Sequence, residues 1–206
     1  MKRGAILVVI LLALAALGLM VWRGLLHDGL SAKAEPSALE TWIAGTMRNR
    51  AMPAKAQEEK NPVANSAEAV REGMLHFADH CAICHGNDGS GDTMMGHGMY
   101  PKPPDLRAAA TQSRSDGEIF WIIENGVRLT GMPAFGGTGG EHGNPEDSWK
   151  LVHFIRHLPA LTAEERIEME KYNPKGPDDR QEERDEDDFL KGGAAKPSAK
   201  AEHHHH

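Results

Sequence analysis

The stretch Cys81-Ala82-Ile83-Cys84-His85 contains both cysteines of this chain of 206 residues. Because the two thiols lie three positions apart, one turn of helix places both sulfur atoms on the same side, with an imidazole directly after them. Two cysteines cannot supply a disulfide framework. A zinc site would need four clustered ligands, and the sequence has no second cysteine pair. A thioredoxin-like dithiol would follow a strand, whereas the residues before Cys81 have the pattern of a helix.

This spacing of two thiols and a histidine is the attachment pattern for a c-type haem. The thiols of Cys81 and Cys84 would add across the two vinyl groups of the porphyrin, and His85 would then bind the iron from one side. The sequence therefore predicts one haem c per chain, attached covalently through two thioether bonds. Such attachment suits an exported protein, because a small domain outside the cell would otherwise lose its cofactor by dilution.

The net charge and the absence of catalytic motifs further limit the functions that this chain can have. The chain has 23 basic and 30 acidic residues, and its net charge of -7 disfavours nucleic acid as a partner. The acidic excess lies in residues 61–160 and 161–206, so we expect redox protein donors and acceptors with a basic docking surface. No general base, nucleophile or phosphate-binding loop accompanies the haem motif. We therefore expect no small organic substrate and no enzymatic turnover by this chain alone.

The N-terminal segment has the pattern of a membrane anchor. Lys2 and Arg3 precede an apolar run from Ala5 to Trp22, 18 residues that as a helix would reach about 27 Å. The cations predict a cytoplasmic start, so residues 1–27 are interpreted as a single-pass anchor in the inner membrane with the rest of the chain on the periplasmic side. A cleaved secretory signal is the alternative, because Ala32-Lys33-Ala34 has a small-x-small pattern.

The flanks of the haem motif resemble the class I cytochrome c family. Ser66 predicts the start of a helix that runs to about His80, in which Gly73 and Phe77 lie eight and four residues before Cys81, as in that family. The resemblance covers residues 66–158. It implies a monohaem cytochrome with an all-α helical domain around one haem. The predicted N-terminal transmembrane helix, which would make this a membrane-anchored cytochrome, and the charged C-terminal tail lie outside the resemblance.

The C-terminal helix of the family also has a counterpart. Asn144-Pro145-Glu146-Asp147 predicts a helix start, and Pro159 ends the apolar pattern that follows. The resemblance implies that this helix crosses the first one closely at Gly73, with Leu151 and Phe154 at the crossing.

A second axial ligand must be chosen among ten methionines. A capping box at Ser115 predicts a helix that ends at Asn125-Gly126, and Met132 lies in the glycine-bounded loop after it. The segment Gly131-Met132-Pro133 resembles the ligand loop of the family, which implies His85 and Met132 as the axial pair. The alternatives lie in the glycine-rich stretch 86–99, where a small copper site is also conceivable: Met94, Met95, His97 and Met99.

Residues 100–106 resemble the proline segment of the family. There, a proline carbonyl accepts a hydrogen bond from the outer nitrogen of the proximal histidine, which fixes the ring and tunes the metal. The resemblance implies this role for Pro104, with Pro103 as the alternative.

Residues 28–60 are interpreted as a juxtamembrane helix and a linker that precede the cytochrome domain at 61–160. Ser37 and Glu40 form a capping box, and an apolar stripe follows at Leu39, Trp42, Ile43 and Met47. The stripe either lies on the membrane or packs on the domain, and domain packing is favoured. Residues 53–60 are expected to be a polar linker, in a flexible stretch at 48–66 that lets the domain move between partners.

Residues 161–206 are expected to form a short helix and then a charged, largely disordered tail. Thr162 and Glu165 predict a helix to about Lys171, and disorder is expected from 175 onward. His203–His206 is either an expression-tag remnant or a native metal-binding tail, and no function is assigned to it.

Together these patterns predict a one-electron carrier that moves electrons between membrane or periplasmic redox partners. Two alternatives stay open. The chain is a haem subunit of a larger oxidoreductase, or it is a haem-based peroxidase or sensor whose distal ligand is labile.

Overall fold

The close approach of two helices, one before the haem motif and one after it, organises the domain. The computed structural model describes residues 2–27, 31–137 and 144–190, and these residues form helices and no strand, which confirms the all-α prediction. The helices are α1 (Lys2–His27), α2 (Ala38–Ala51), α3 (Ala54–Glu58), α4 (Ala67–His80), α5 (Ala82–His85), α6 (Met94–His97), α7 (Ala109–Gln112), α8 (Asp116–Asn125), α9 (Pro145–His157), α10 (Ala163–Glu170) and α11 (Pro177–Leu190). A 3-10 turn, Leu158–Ala160, follows α9.

Helices α4 and α9 cross at Gly73. A Cβ atom built on Gly73 would lie 2.2 Å from the carbonyl oxygen of Lys150, so only a residue without a side chain permits this approach. Leu151 and Phe154 are fully buried at the crossing, and the ring centroids of Phe77 and Phe154 are 5.1 Å apart. The predicted crossing glycine and its two predicted partners are therefore confirmed.

Helix α8 packs against α9 and completes the core. The rings of Phe120 and Trp149 stack in parallel with centroids 3.9 Å apart. Arg156 holds the start of α8, because its Nε donates to Asp116 Oδ1 over 2.9 Å. The capping box predicted at Ser115 is present, so the sequence located this helix correctly.

The segment expected to be a polar linker packs on the domain instead. It contains α3, and both Met52 and Ala56 are buried. A Cβ atom on Gly117 would lie 2.1 Å from the carbonyl oxygen of Ala56, so this glycine lets the α3 backbone lie directly on α8. Asn61 Nδ2 also donates to the Trp149 carbonyl over 2.9 Å. Residues 52–61 are thus part of the folded domain, contrary to the expectation of flexibility there.

Helix α2 begins at the predicted capping box, but its apolar stripe does not pack on the domain. Leu39, Trp42 and Met47 are 65%, 67% and 66% exposed. Polar contacts hold the helix instead, as between Arg114 Nη2 and Asn49 Oδ1 at 3.3 Å. The favoured interpretation, domain packing of the stripe, is therefore wrong.

The C-terminal region contains more helix than the sequence predicts. The short helix after Thr162 is present as α10, and it buries Met169 completely. Residues 177–190 form α11 where disorder is expected, with side-chain pairs at helical spacing such as Gln181 Nε2 to Asp185 Oδ1 at 2.8 Å. The predictions for residues 191–206, including His203–His206, lie outside the described residues.

Gly73→Ala should lower the free energy of unfolding of the domain by at least about 1–3 kcal/mol, because the new methyl group meets backbone that cannot move aside. Urea unfolding of the full chain measures this loss. The matched control is Gly45→Ala on α2, where an added Cβ meets nothing within 4 Å and should stabilise the helix by up to about 1 kcal/mol. Equal stability of Gly73→Ala and the wild type would contradict the close crossing.

Candidate haem site

The haem motif forms the single helical turn that its spacing predicts. The amide of Cys81 donates to the Phe77 carbonyl over 2.8 Å and ends α4. The amide of His85 then donates to the Cys81 carbonyl over 2.9 Å, within α5. Gly86 follows with a φ of 73°, a left-handed conformation that ends the turn. Both thiols and the imidazole therefore leave the backbone within one turn.

A glycine-rich loop, residues 86–99, folds back against this turn. The Gly91 amide donates to the His85 carbonyl over 2.8 Å, and Thr93 Oγ1 lies 3.1 Å from the Cys84 carbonyl oxygen. Gly91 has a φ of 77°, and a Cβ atom there would lie 2.5 Å from the Pro103 carbonyl oxygen. These bonds thus hold the backbone of the motif against the loop. Sequence analysis missed the part played by Thr93, which no local pattern indicates.

The imidazole of His85 lies in a partly buried position beside the Phe77 ring, with centroids 6.4 Å apart. Burial lowers the pKa of His85, and the Pro104 carbonyl opposes this effect. The neutral imidazole, which is the form that binds metals, is therefore favoured. Pro104, rather than Pro103, faces the ring, since the Pro103 carbonyl faces Gly91.

The Nδ1 atom of His85 is buried and has no regular hydrogen-bond partner within the described ranges. The Pro104 carbonyl is near enough to act on the pKa of the ring but does not meet the geometry of a regular hydrogen bond. A buried imidazole nitrogen in this state is unusual in a purely structural histidine. It is in keeping with a ring that is oriented for a ligand.

The two thiols form no disulfide with each other and are not activated for redox exchange. Burial, together with the neighbouring Cys84, raises the pKa of the Cys81 thiol to about 12. Burial also raises the pKa of Cys84. A thioredoxin-like dithiol requires a thiol with a lowered pKa, so the environment disfavours that alternative.

The loop that carries Met132 is closed by bonds within it and is bonded to α8 after Met132. The Met132 amide donates to Thr130 Oγ1 over 3.1 Å, and the Met132 carbonyl accepts from the Val127 amide over 3.2 Å. Further along, the Phe135 amide donates to the Ile123 carbonyl over 3.0 Å. Met132 itself is partly buried. Its backbone is therefore held in one place, as a ligand loop requires.

This loop borders both the motif and the glycine-rich loop. The Phe135 ring meets the edge of the His80 ring, with centroids 6.5 Å apart, and His80 directly precedes Cys81. A Cβ atom on Gly131 would lie 2.8 Å from Met99 Sδ, so Met99 packs against the residue before Met132.

The other alternative ligands lie elsewhere. Met94 and Met95 are 95% and 49% exposed, and His97 Nε2 is 2.5 Å from Asp92 Oδ1. Among the four alternatives, Met99 is the one placed beside the Met132 loop. The described residues include no group of three His, Cys, Asp or Glu side chains suited to a metal ion.

Arg107 joins the proline segment to the glycine-rich loop, a role that sequence analysis missed. Its Nε donates to Asp105 Oδ1 over 2.9 Å, and its Nη1 lies 3.1 Å from Asp88 Oδ2. The Leu106 amide adds a bond of 2.8 Å to the Gly89 carbonyl. These bonds hold Pro104, which precedes Asp105, next to His85.

Comparison with protein families matches residues 68–155 to the family described as cytochrome C oxidase, cbb3-type, subunit III. No curated protein matches the chain. Residues 68–155 are therefore a domain of the monohaem, class I c-type cytochrome kind. Such a domain implies a haem cofactor and haem-based electron transfer. The residues of the site fit this group, since two thiols and a neutral imidazole leave the backbone within a single turn.

Removing the bond between Arg107 and Asp105 should make the domain less stable at neutral pH but not in acid. The hydrogen bond from Arg107 lowers the pKa of Asp105, so its contribution is present above the ordinary carboxyl pKa of about 3.9 and is lost as the pH falls below it. Urea midpoints of Asp105→Asn and wild type should therefore differ at pH 7, and the difference should shrink as the pH falls toward 3.

Glu186→Gln on α11, an exposed substitution outside the first helical turn, is the control and should leave the midpoint unchanged at both pH values. A difference between Asp105→Asn and wild type that is the same at pH 7 and pH 3 would contradict the role of this bond.

Proposed function

Because residues 68–155 form a class I c-type cytochrome-like domain, we propose that the chain is a one-electron carrier with a covalently bound haem c and His/Met axial ligation. The observation that carries this proposal is the single turn that presents Cys81, Cys84 and His85 inside the matched region. When bound, the haem supplies an iron centre that takes up and releases one electron. The chain alone performs no substrate chemistry in this proposal.

Each residue of the site then has a defined task. Cys81 and Cys84 would hold the porphyrin through thioether bonds, and His85 and Met132 would bind the iron. The Pro104 carbonyl, which faces the imidazole, would keep the ring in orientation when the haem is bound. The Met132 thioether would raise the potential relative to two histidine ligands. The bonds that the Met132 amide and carbonyl make within the loop support Met132 as this ligand.

We also propose that α1 anchors the chain in the inner membrane, with the cytochrome domain at 61–160 on the periplasmic side. Residues Gly4–Arg23 are long and apolar enough to cross a membrane, and none of this span is buried in the protein. The partners are redox proteins that present basic surfaces, in keeping with the net charge of -7.

A second candidate function is that of a haem subunit in a larger oxidoreductase. The matched family is described as a subunit of cytochrome c oxidase, and this description favours the candidate. Purification of the native protein in mild detergent separates the two functions. A stable complex with catalytic subunits supports the subunit role, and a chain that elutes alone supports the independent carrier.

Haem attachment is tested by producing the full chain with a c-type maturation system. The chain should be coloured, and its mass should increase by one haem that remains bound after denaturation. The double variant Cys81→Ser/Cys84→Ser should lose the bound haem. Ile83→Ser, an exposed position in the same turn, should keep it. Colourless wild-type protein with both thiols free would contradict the proposal.

Met132→Ala should lose the weak near-infrared sulfur-to-iron band, and its potential should fall by on the order of 0.1 V, within the range of about 0.8 V that axial ligands cover. Met94→Ala, at a position that is 95% exposed, is the matched control and should leave both unchanged.

A band that persists in Met132→Ala and disappears in Met99→Ala would assign the ligand to Met99. Carbon monoxide should bind rapidly to Met132→Ala but not to the wild type. Rapid binding to the wild type would favour the peroxidase or sensor alternative.

A further inference from the structure

Helix α2 presents an apolar face that the domain does not cover. Leu39, Trp42 and Met47 are each about two-thirds exposed, and Ile43 on the same side is 43% exposed. Their spacing of three and four residues places them along one side of the helix. A continuous apolar stripe of more than two turns therefore remains largely exposed.

The other sides of α2 are occupied by polar contacts. Asn49 accepts from Arg114, Glu35, just before the helix, pairs with Lys102, and a hydrogen bond to Glu40 raises the pKa of Tyr100. One side of α2 thus faces the domain, and the apolar stripe lies on the side that faces away from it. Its orientation is set by contacts that leave the stripe pointing outward.

We propose that the stripe of α2 lies in the surface of the bilayer and orients the cytochrome domain on the membrane. This inference rests on the proposed membrane anchor. Only residues 28–37 separate α1 from α2, and a chain of that length spans at most about 35 Å. The stripe is therefore confined to the neighbourhood of the membrane into which α1 inserts.

The chemistry of the segment fits a lipid surface. Trp42 and Leu39 are residue types that interfacial helices bury at the level of the headgroups. Arg50, seven residues beyond Ile43 and on the same side, can reach lipid phosphates. Within α2, two basic residues, Arg48 and Arg50, stand against the single acidic Glu40, so the helix carries a small positive charge that favours anionic lipids.

A protein partner is a weaker fit to the same stripe. A specific protein interface takes about 800 Å² and roughly 20–30 residues from each side. The stripe offers four apolar side chains on a single helix. The experiment therefore also tests whether a second copy of the chain, instead of lipid, covers the stripe.

The consequence concerns the haem site. The domain residues that α2 contacts lie at 100–114, the segment that also holds Pro104 beside His85. With α2 bound to the bilayer, the side of the site that carries His85 and Pro104 would keep a fixed orientation relative to the membrane. The domain would then present one defined surface to its partners instead of rotating freely.

The test uses the full chain with haem attached, reconstituted in vesicles of phosphatidylcholine and phosphatidylglycerol. A nitroxide label is placed on Met47→Cys in the stripe. The matched control carries it on Thr41→Cys, an exposed residue on the opposite side of α2. Relaxation by oxygen, which concentrates in lipid, is compared with relaxation by a water-soluble nickel complex. The oxygen-to-nickel ratio should be several-fold higher for the stripe position than for the control.

Equal ratios at the two positions, in a chain that remains embedded after alkaline extraction, would overturn the inference while the anchor stands. Low access to both reagents at Met47→Cys would mean that a second copy covers the stripe, and this also overturns it. A chain that alkaline extraction releases would instead refute the anchor. Three labels per chain, instead of one, would show free Cys81 and Cys84 and so refute haem attachment.

A second variant removes the stripe without disturbing the fold. Leu39→Ser/Ile43→Ser changes two exposed side chains, so the domain should unfold at the same urea concentration as the wild type. With the label on Met47→Cys, this variant should lose the high oxygen-to-nickel ratio and remain embedded through α1. A ratio that stays high would contradict the role of the stripe.

Discussion

The contact between the backbones of α4 and α9 at Gly73 is the constraint on which the rest of the structure depends. The motif begins directly after the last turn of α4, so the direction of α4 decides where the two thiols and His85 lie. Helix α9 fixes that direction through Leu151 and Phe154, and it also supports α8 through Trp149. Since the Met132 loop is bonded to the end of α8, both sides of the haem site are positioned by one crossing.

Features encoded by neighbouring residues were predictable from the sequence. The helix starts at Ser66, Ser115 and Thr162 depend on a side chain and an amide three residues further on, and each is where its pattern predicts. The turn of the motif is local in the same way. Gly73 was also identified, but only through resemblance to a family, because a close crossing leaves no pattern in a single helix.

Features that depend on distant residues were not predictable. The burial of Ala56 requires Gly117, about sixty positions later, and a polar composition gave no indication of that contact. The stripe of α2 shows the opposite case, because its apolar pattern was clear but the surface it faces was not. At the site, the sequence named both Pro103 and Pro104, and only the fold assigns one to Gly91 and the other to His85.

The packing of α3 onto α8 has a consequence for the way this protein meets other molecules. It limits the connection between anchor and domain to residues 28–37, which precede α2. With α1 in a bilayer as proposed, the search for a redox partner becomes lateral diffusion in two dimensions, limited by membrane viscosity and by the surface density of both proteins. Freely diffusing proteins would reach the haem only by arriving at that surface.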